Sequence, residues 1–300
     1  MIGAVLAVAA IAAEPGSQCS LPPGWAAIEA KKPHFIVFGE EHGTRESPEL
    51  VGRVACALAR RGKRLLVAVE LSASTDPELQ RLWKTPAKDF SQRIVAELPG
   101  FAERQDGVGS GAMLALLERL HSLHTVGFRI DVVAFNSFRD PAQEKRWRKL
   151  PAQGPHEAAQ AENIADAAVG KQYDHVLVLA GSLHAKRRPI HWEKVAFEPM
   201  ALRLARAGTL LSLKQGHGSG TTWNCVLKSG VKRHADEPIT DDMIDCGAHG
   251  VAPPESDGSV RVGLGAPAGE KGDPAYDGYY WFPVVHASPP AGGSHLSGER

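Results

Sequence analysis

The 300-residue sequence predicts an α/β fold: a central, mostly parallel mixed sheet with helices on both faces, and an irregular, β-rich C-terminal extension. Three observations carry that expectation. Short apolar runs of strand length recur along the chain as far as Gln215. Stretches with helical spacing separate them, the alternation that builds parallel sheets. After Gly216 the composition turns to Gly, Pro and Asp, with brief β-prone pieces such as TTWNCVL and YYWFPVV.

The first strand is HFIVFGE (34–40), apolar on both faces and so buried on both. Ser47-Pro48-Glu49 then reads as N-cap, Pro at the first helical position and acid in the first turn. Leu50, Val54 and Leu58 follow at helical spacing, and Gly62 closes the helix. The cationic run from Arg60 to Arg64 suits that helix's C-terminus. RLLVAVEL (64–71) is the second strand, completing a βαβ unit with a right-handed crossover. Residues 76–111 read as helical pieces broken by Pro86, Pro99 and a Gly-rich stretch, forming a cap over the sheet edge. Met113, Leu116, Leu117, Leu120 and Leu123 make one face of an amphipathic helix. FRIDVVAFN (128–136) is a third strand, 157–169 an Ala-rich helix, HVLVLAGSLHA (175–185) a fourth strand running into a turn, and TLLSLKQ (209–215) a fifth.

These elements define one α/β domain over 20–215, an irregular extension over 216–288 packed on it, and a disordered tail over 289–300. The apolar stretch Ile2 to Ala13 is too short to span a bilayer. It matches a signal-peptide core, with Ala10-Ile11-Ala12 as a small-x-small cleavage pattern, although no Lys or Arg precedes it. Residues 1–13 are therefore expected to direct export to a periplasmic or extracellular site. The alternative is a helix or strand packed on a cytoplasmic domain. No later segment is apolar enough for an integral membrane span. Lys+Arg and Asp+Glu both total 34, so no charge excess argues for nucleic acid or an anionic membrane as partner.

The four Cys contain no CxxC pair, which argues against a structural zinc site. An even count in an exported chain suits disulfides. Cys225 with Cys246 is the natural local bridge. Cys19 can pair with Cys56, or Cys56 can be a plain buried thiol on the apolar side of its helix.

Four of the expected strands end in polar residues: Glu40 and Glu41 with His42, Glu70, Asn136, and His184. Ligands of open parallel sheets bind beyond the carboxyl ends of the strands, so these residues gather on one rim. VFGEEHG and VLAGSLHA both run from an apolar strand into Gly-x-x-His, from Gly39 to His42 and from Gly181 to His184. Each His then projects above the sheet edge. Glu70 follows LLVAV and is expected to be partly buried, which demands a partner; His42 and Arg45 are candidates, while a turn-capping role is the alternative. Glu41 is expected to face solvent.

A His beside a carboxylate can take a proton from water. Two His and two Glu can equally hold a divalent metal that lowers the pKa of bound water. Both options stay open. Lys186-Arg187-Arg188 can hold an anionic group at the rim or form a solvated basic loop. There is no P-loop, GxGxxG or GxSxG motif, and GSGTTW at Gly218 reads as a turn.

GEEHGTRE (39–46) resembles the opening motif of the erythromycin esterase, ChaN and TIKI/TraB superfamily. Its Gly-Glu-x-His spacing is similar to the haem-binding ChaN branch, and its His-Gly-Thr-x-Glu continuation to Glu46 is similar to the erythromycin esterases. VAVEL ending in Glu70 resembles the second strand of the family, and VLAGSLHA its later Gly-x-x-His element, with the ENIADAA helix between. The resemblance spans 33–188. It implies an α/β fold with a central mixed sheet and a cleft at the strand ends but no single activity: members include esterases with Glu/His-activated water, metal-dependent proteases and haem-binding proteins, and an inactive scaffold is a further alternative. It assigns Glu40, His42, Glu70 and His184 to the site. His42 is then the base on water, oriented by Glu40 or Glu70, and His184 stabilises developing charge. The same four are the ligand set if a divalent metal binds, and haem is the cofactor of the non-catalytic alternative. Arg45, Glu46, Asn136 and Lys186 are secondary candidates. The esterases carry one more residue between Glu and His, and a long helical insertion for a macrolide is missing here. The expected partner is therefore another small-molecule or peptide substrate.

Overall fold

The structure is a computed structural model that describes residues 19–102, 104–192, 195–231, 240–251, 258–267 and 269–293. The expected signal segment 1–13 and residues 294–300 of the expected tail lie outside them.

After a short helix, α1 (Trp25–Glu29), the chain enters β1 (Phe35–Glu40), α2 (Glu46–Arg60) and β2 (Leu65–Ser72). Three helical pieces follow: α3 (Asp76–Leu82), α4 (Ala87–Glu97) and α5 (Pro99–Ala102). Then come α6 (Gly111–Thr125), β3 (Ile130–Asn136), α7 (Pro141–Trp147), α8 (Gly154–Ala168) and β4 (His175–Gly181). A small hairpin of β5 (Ile190–Trp192) and β6 (Val195–Phe197) and the helix α9 (Met200–Leu204) lead to β7 (Leu210–Leu227). The last strands are β8 (Ile244–Gly250), β9 (Arg261–Leu264) and β10 (Gly278–Val285).

The main sheet has the order β3-β2-β4-β1-β7-β10-β9, with β8 paired to the distal half of β7. Pairings from β3 through β10 are parallel, and only β8 and β9 run antiparallel. This is the mostly parallel mixed sheet that the apolar runs predict. Alternation along each strand serves two cores. Ile36, Phe38, Val67, Val69 and Leu179 pack on Leu50, Val54 and Leu58 of α2 and on Met113, Leu116 and Leu120 of α6. Phe35, Val37, Leu66, Ala68 and Val178 pack on Ala161 and Ile164 of α8 and on Met200 and Leu204 of α9. Fully burying one such side chain contributes about 1.5–3 kcal/mol. Helices therefore cover both faces.

The connections fix where a crevice forms. The connection from β1 leaves through α2 on one face, and that from its neighbour β4 leaves through α9 on the other. The carboxyl ends of β1 and β4 thus flank a topological switch point, where open α/β sheets leave a cleft.

Three local differences from the sequence reading have physical reasons. Ser47 does not cap α2: the helix starts at Glu46, and the buried Ser47 hydroxyl donates instead to Gln215 Oε1 at 2.8 Å. The fifth strand continues well beyond Gln215 to Leu227. Its distal half, GHGSGTTWNCVL, lacks an apolar run because it pairs with β8 as a half-exposed ribbon. In the expected tail, Pro290 bridges to Ser110 and the Ala291 N–H donates to Gly109 O, so residues 290 and 291 are held on the domain.

The helical pieces after β2 also guard the sheet. Asp76 accepts from the Ala134 N–H and Gln80 donates to Val132 O, which pairs polar groups on the open side of β3. The expected Cys225–Cys246 disulfide joins residues directly opposite across β7 and β8, and of the two alternatives for Cys56 the structure has the bridge to Cys19. Among the described residues no helix is long and apolar enough to cross a membrane.

Replacing both Cys19 and Cys56 with Ser opens a link across 37 residues. The expected cost is about 2–4 kcal/mol, read as a lower denaturant midpoint with an unchanged far-UV spectrum. An unchanged midpoint would show that this link adds nothing to stability.

Candidate active site

Glu40 ends β1 and Glu70 lies near the end of β2, and both are buried. Strand alternation aligns Glu40 with Ile36 and Phe38 on the α2 face, and Glu70 with Leu66 and Ala68 on the α8 face. The two carboxylates therefore start from opposite sides of the sheet. His42 joins them over the rim. Its Nδ1 lies 2.9 Å from Glu40 Oε1, and its Nε2 lies 3.5 Å from Glu70 Oε2.

Glu70 has a second imidazole. His184 Nε2 lies 3.5 Å from Glu70 Oε1, and His184 Nδ1 lies 2.7 Å from Glu157 Oε1. Glu157 belongs to α8 and is fully buried; its other oxygen accepts the Met200 N–H at 2.7 Å. The result is a continuous chain, Glu40–His42–Glu70–His184–Glu157, with carboxylates and imidazoles alternating.

Gly181 ends β4 beside this chain, and its N–H donates to Glu70 Oε2 at 2.6 Å. A Cβ at Gly181 would lie 2.8 Å from His42 Nε2. The glycine is thus what lets the imidazole rest against the strand end. Gly43 has φ 79° and passes under β7, where a Cβ would come within 1.9 Å of Trp223 O. The turn it forms is pinned: Gly43 O accepts from Trp223 N and Ser288 N, and His42 O accepts from the Thr222 hydroxyl at 2.9 Å. Gln215 Oε1 accepts the Glu41 N–H at 2.8 Å.

Burial disfavours both imidazolium ions, but the carboxylates outweigh it. The charge of Glu70 and the hydrogen bond to Glu40 hold His42 well above its ordinary pKa. The hydrogen bond to Glu157 and the charge of Glu70 raise His184, against the opposing charge of His42. Burial alone would raise Glu70; His42, His184 and the Gly181 N–H instead bring it down to about 2. Burial raises Glu40, against the pull of His42, and its Oε2 is buried without a protein partner.

Each Nδ1 faces a carboxylate that can only accept, so Nδ1 carries a proton and Nε2 remains for chemistry. Both Nε2 atoms are too far from Glu70 for a good direct hydrogen bond. Among the described residues no group of three or more His, Cys, Asp or Glu is arranged to hold a metal ion.

Glu40, His42, Glu70 and His184 thus come together at one rim. Arg45 does not reach Glu70; it is half exposed and lies 3.3 Å from Glu49. Glu46 pairs with His286 at 2.7 Å. Asn136 accepts from Gln160, which contacts His156, whose ring centroid lies 5.7 Å from that of His184. Lys186 is half-buried in the loop after His184, and its neighbour Arg187 is paired with Asp277. Glu41 pairs with His217 at 2.9 Å.

Sequence reading missed Glu157, Gln215 and His156. A Glu in the first turn of an Ala-rich helix is explained by the helix dipole alone, so Glu157 carried no signal. Gln215 did end an expected strand in a polar residue, the same signal that marked the others.

No protein-family model matches the sequence, and no curated protein sequence matches it. Several solved structures are similar. The erythromycin esterase EreC, a mutant in its open conformation, aligns at TM-score 0.56 with 9% identity, over 89% of this chain and 94% of that one. A succinoglycan biosynthesis protein aligns at 0.55 with 10% identity, over 87% and 91%. A Bacillus cereus protein aligns at 0.53 with 12% identity, over 88% and 92%. At such identities the likeness is one of fold, and that fold is the one the motif resemblance implies.

The shifted groups set a pH window for stability. Glu70 contributes fully above its unfolded value of 4.5 and loses that contribution as pH falls towards about 2. His42 and His184 contribute fully below 6.5 and lose their contribution as pH rises through their raised values. The difference in unfolding free energy between wild type and Glu70→Gln is expected to peak between these limits, at about 3–5 kcal/mol. A difference independent of pH would rule out this coupling. Gly181→Ala is expected to displace His42 and lower its pKa in an NMR titration while the chain stays folded; an unmoved His42 resonance would contradict the contact.

Proposed function

We propose that the chain is an exported hydrolase that cleaves an ester or amide of a small-molecule or peptide substrate with an activated water. The observation that carries this reading is the pair of half-buried imidazoles, each oriented by a buried Glu, that face one shared carboxylate at the switch point. Each outer Glu fixes its His as the acid member of a hydrolytic triad does. Two disulfides support export, since such links persist in oxidising compartments.

The anchoring of the two outer glutamates favours exchanging the two His roles expected from the resemblance. Both rings are raised, His42 by Glu70 with Glu40 and His184 by Glu157 with Glu70, but only the carboxylate behind His184 is fixed at both oxygens: Glu157 holds His184 Nδ1 at 2.7 Å and accepts the Met200 N–H, whereas Glu40 Oε2 has no protein partner. The more firmly oriented ring, His184, is assigned as the base and His42 as the acid. In the proposed step, neutral His184 Nε2 takes a proton from water as the water oxygen bonds to the carbonyl carbon. The tetrahedral intermediate then breaks its bond to the leaving oxygen or nitrogen, which takes a proton from His42 Nε2. One water is consumed. Glu70 stabilises the charge that moves between the two rings, and proton exchange through solvent restores the resting state.

His184→Gln is expected to lower kcat by about 10²–10⁴ on both an activated p-nitrophenyl ester and an alkyl ester. His42→Gln is expected to lose as much on the alkyl ester but far less on the p-nitrophenyl ester, whose leaving group needs no proton. Equal losses for both variants on both esters would reject the division of roles. Full activity in either variant with a normal melting curve would reject the site.

A further inference from the structure

In the step described above, the carbonyl oxygen becomes negative close to the charge of Glu70. Such a step needs hydrogen-bond donors aimed at that oxygen. Much of the backbone at the rim is already engaged. The N–H groups of Glu41, Gly181, Ser182 and His184 donate to Gln215 Oε1, Glu70 Oε2, Glu40 O and Gly181 O. Side-chain donors lie on the other flank of Glu70, where β3 runs next to β2 and Asn136 stands opposite Ser72.

Gln160 of α8 is fully buried. Its Nε2 lies 2.9 Å from Asn136 Oδ1 and 2.9 Å from His156 Nε2. An amide nitrogen only donates, so both partners accept. The His156 proton is thereby fixed on Nδ1, and Asn136 keeps its amino group for another acceptor. Neither His156 Nδ1 nor Asn136 Nδ2 has a protein partner among the described residues, and neither is sealed from solvent. The tie is made at the expense of Gln160 itself, whose Oε1 is buried without a partner. The strand end is constrained as well: Ser137, after Asn136, has φ 65°, and its carbonyl accepts from Asn163 Nδ2 at 2.9 Å. The His156 ring lies 5.7 Å from that of His184, centroid to centroid. Burial and the charge of His184 hold His156 below its ordinary pKa, so the ring is neutral, and a neutral imidazole can polarise a carbonyl. Neutral donors suit this place, since a cation would be drawn onto Glu70. Arg104, whose charge reaches His156, is engaged by Asp106 at 3.0 Å.

We propose that His156 Nδ1–H and the Asn136 amide N–H form the oxyanion hole of the site, with Gln160 as the residue that positions both; this rests on the hydrolase reading above. As the water oxygen bonds to the carbonyl carbon, the π pair of the C=O bond moves onto the carbonyl oxygen, which accepts from both donors. The pair returns when the leaving group departs, and neither donor gives up its proton. The carbonyl thus points towards β3 and its leaving group towards His42. The test measures kcat and KM on p-nitrophenyl acetate, binding of the methyl methylphosphonate anion by calorimetry, and the His156 tautomer by nitrogen-15 NMR. Asn136→Ala and His156→Phe are each expected to lower kcat by about 10²–10³ with KM changed less than about threefold, and to weaken the phosphonate about tenfold. The wild-type His156 proton is expected on Nδ1. Gln160→Glu is expected to move it to Nε2 and to lower kcat as far. Gln160→Met, which brings in no buried charge, is expected to leave the tautomer mixed and to lower kcat about tenfold. A wild-type proton on Nε2, or a kcat within about threefold of wild type in both folded donor variants, overturns the oxyanion hole and leaves the hydrolase reading standing. Phosphonate binding that both donor variants weaken, with no ester hydrolysed by the wild type, supports the hole and overturns the hydrolase reading. Neither turnover nor phosphonate binding overturns both.

Discussion

Glu70 is buried and charged, and a lone carboxylate cannot stay that way in a protein interior. It is held ionised by two imidazoles and one strand-end N–H. The charge of Glu70 in turn raises both histidines, so the ionisation of each of the three groups depends on the others. The outer glutamates complete the balance: three carboxylates face two imidazoles, and each imidazole is tied at one nitrogen and left available at the other. The chemistry proposed for the site depends on that single shared charge.

The sheet supplies the geometry that makes sharing possible. β4 lies between β2 and β1, so the last residue of β4 must separate Glu70 from the turn carrying His42. Only a residue without a side chain can stand there, and Gly181 does. Its backbone then becomes a ligand of Glu70 in its own right. The crossover of the connections at β1 and β4 opens the rim, while the paired cores on either face hold the strand ends in place.

The parts of this arrangement that are legible in the sequence are those that follow an apolar run. Glu40, Glu70 and His184 stand where buried strands stop, and the repeated Gly-x-x-His marks the two turns. Glu157 is invisible for the opposite reason, since it sits in a helix where an acid needs no further explanation. Arg45 was a reasonable partner for Glu70 by spacing, yet α2 starts so early that its side chain lies on the outer surface with Glu49. The distal half of β7 hid because a half-exposed ribbon needs no hydrophobic run. Strand cores announce themselves through burial; contacts that depend on tertiary approach do not.

The turn that bears His42 is fastened by the far end of the chain. Gly43 accepts from Ser288, Thr44 bridges to Ala287, and Glu46 holds His286 across 240 positions. Such closures come late in folding, because their entropy must be met before any contact rewards it. A chain emerging from synthesis therefore carries its titratable cluster long before the cluster is locked. The turn that carries His42 takes its final position only when β10 and the residues after it dock, so the last segment made is the one that sets the geometry at the rim.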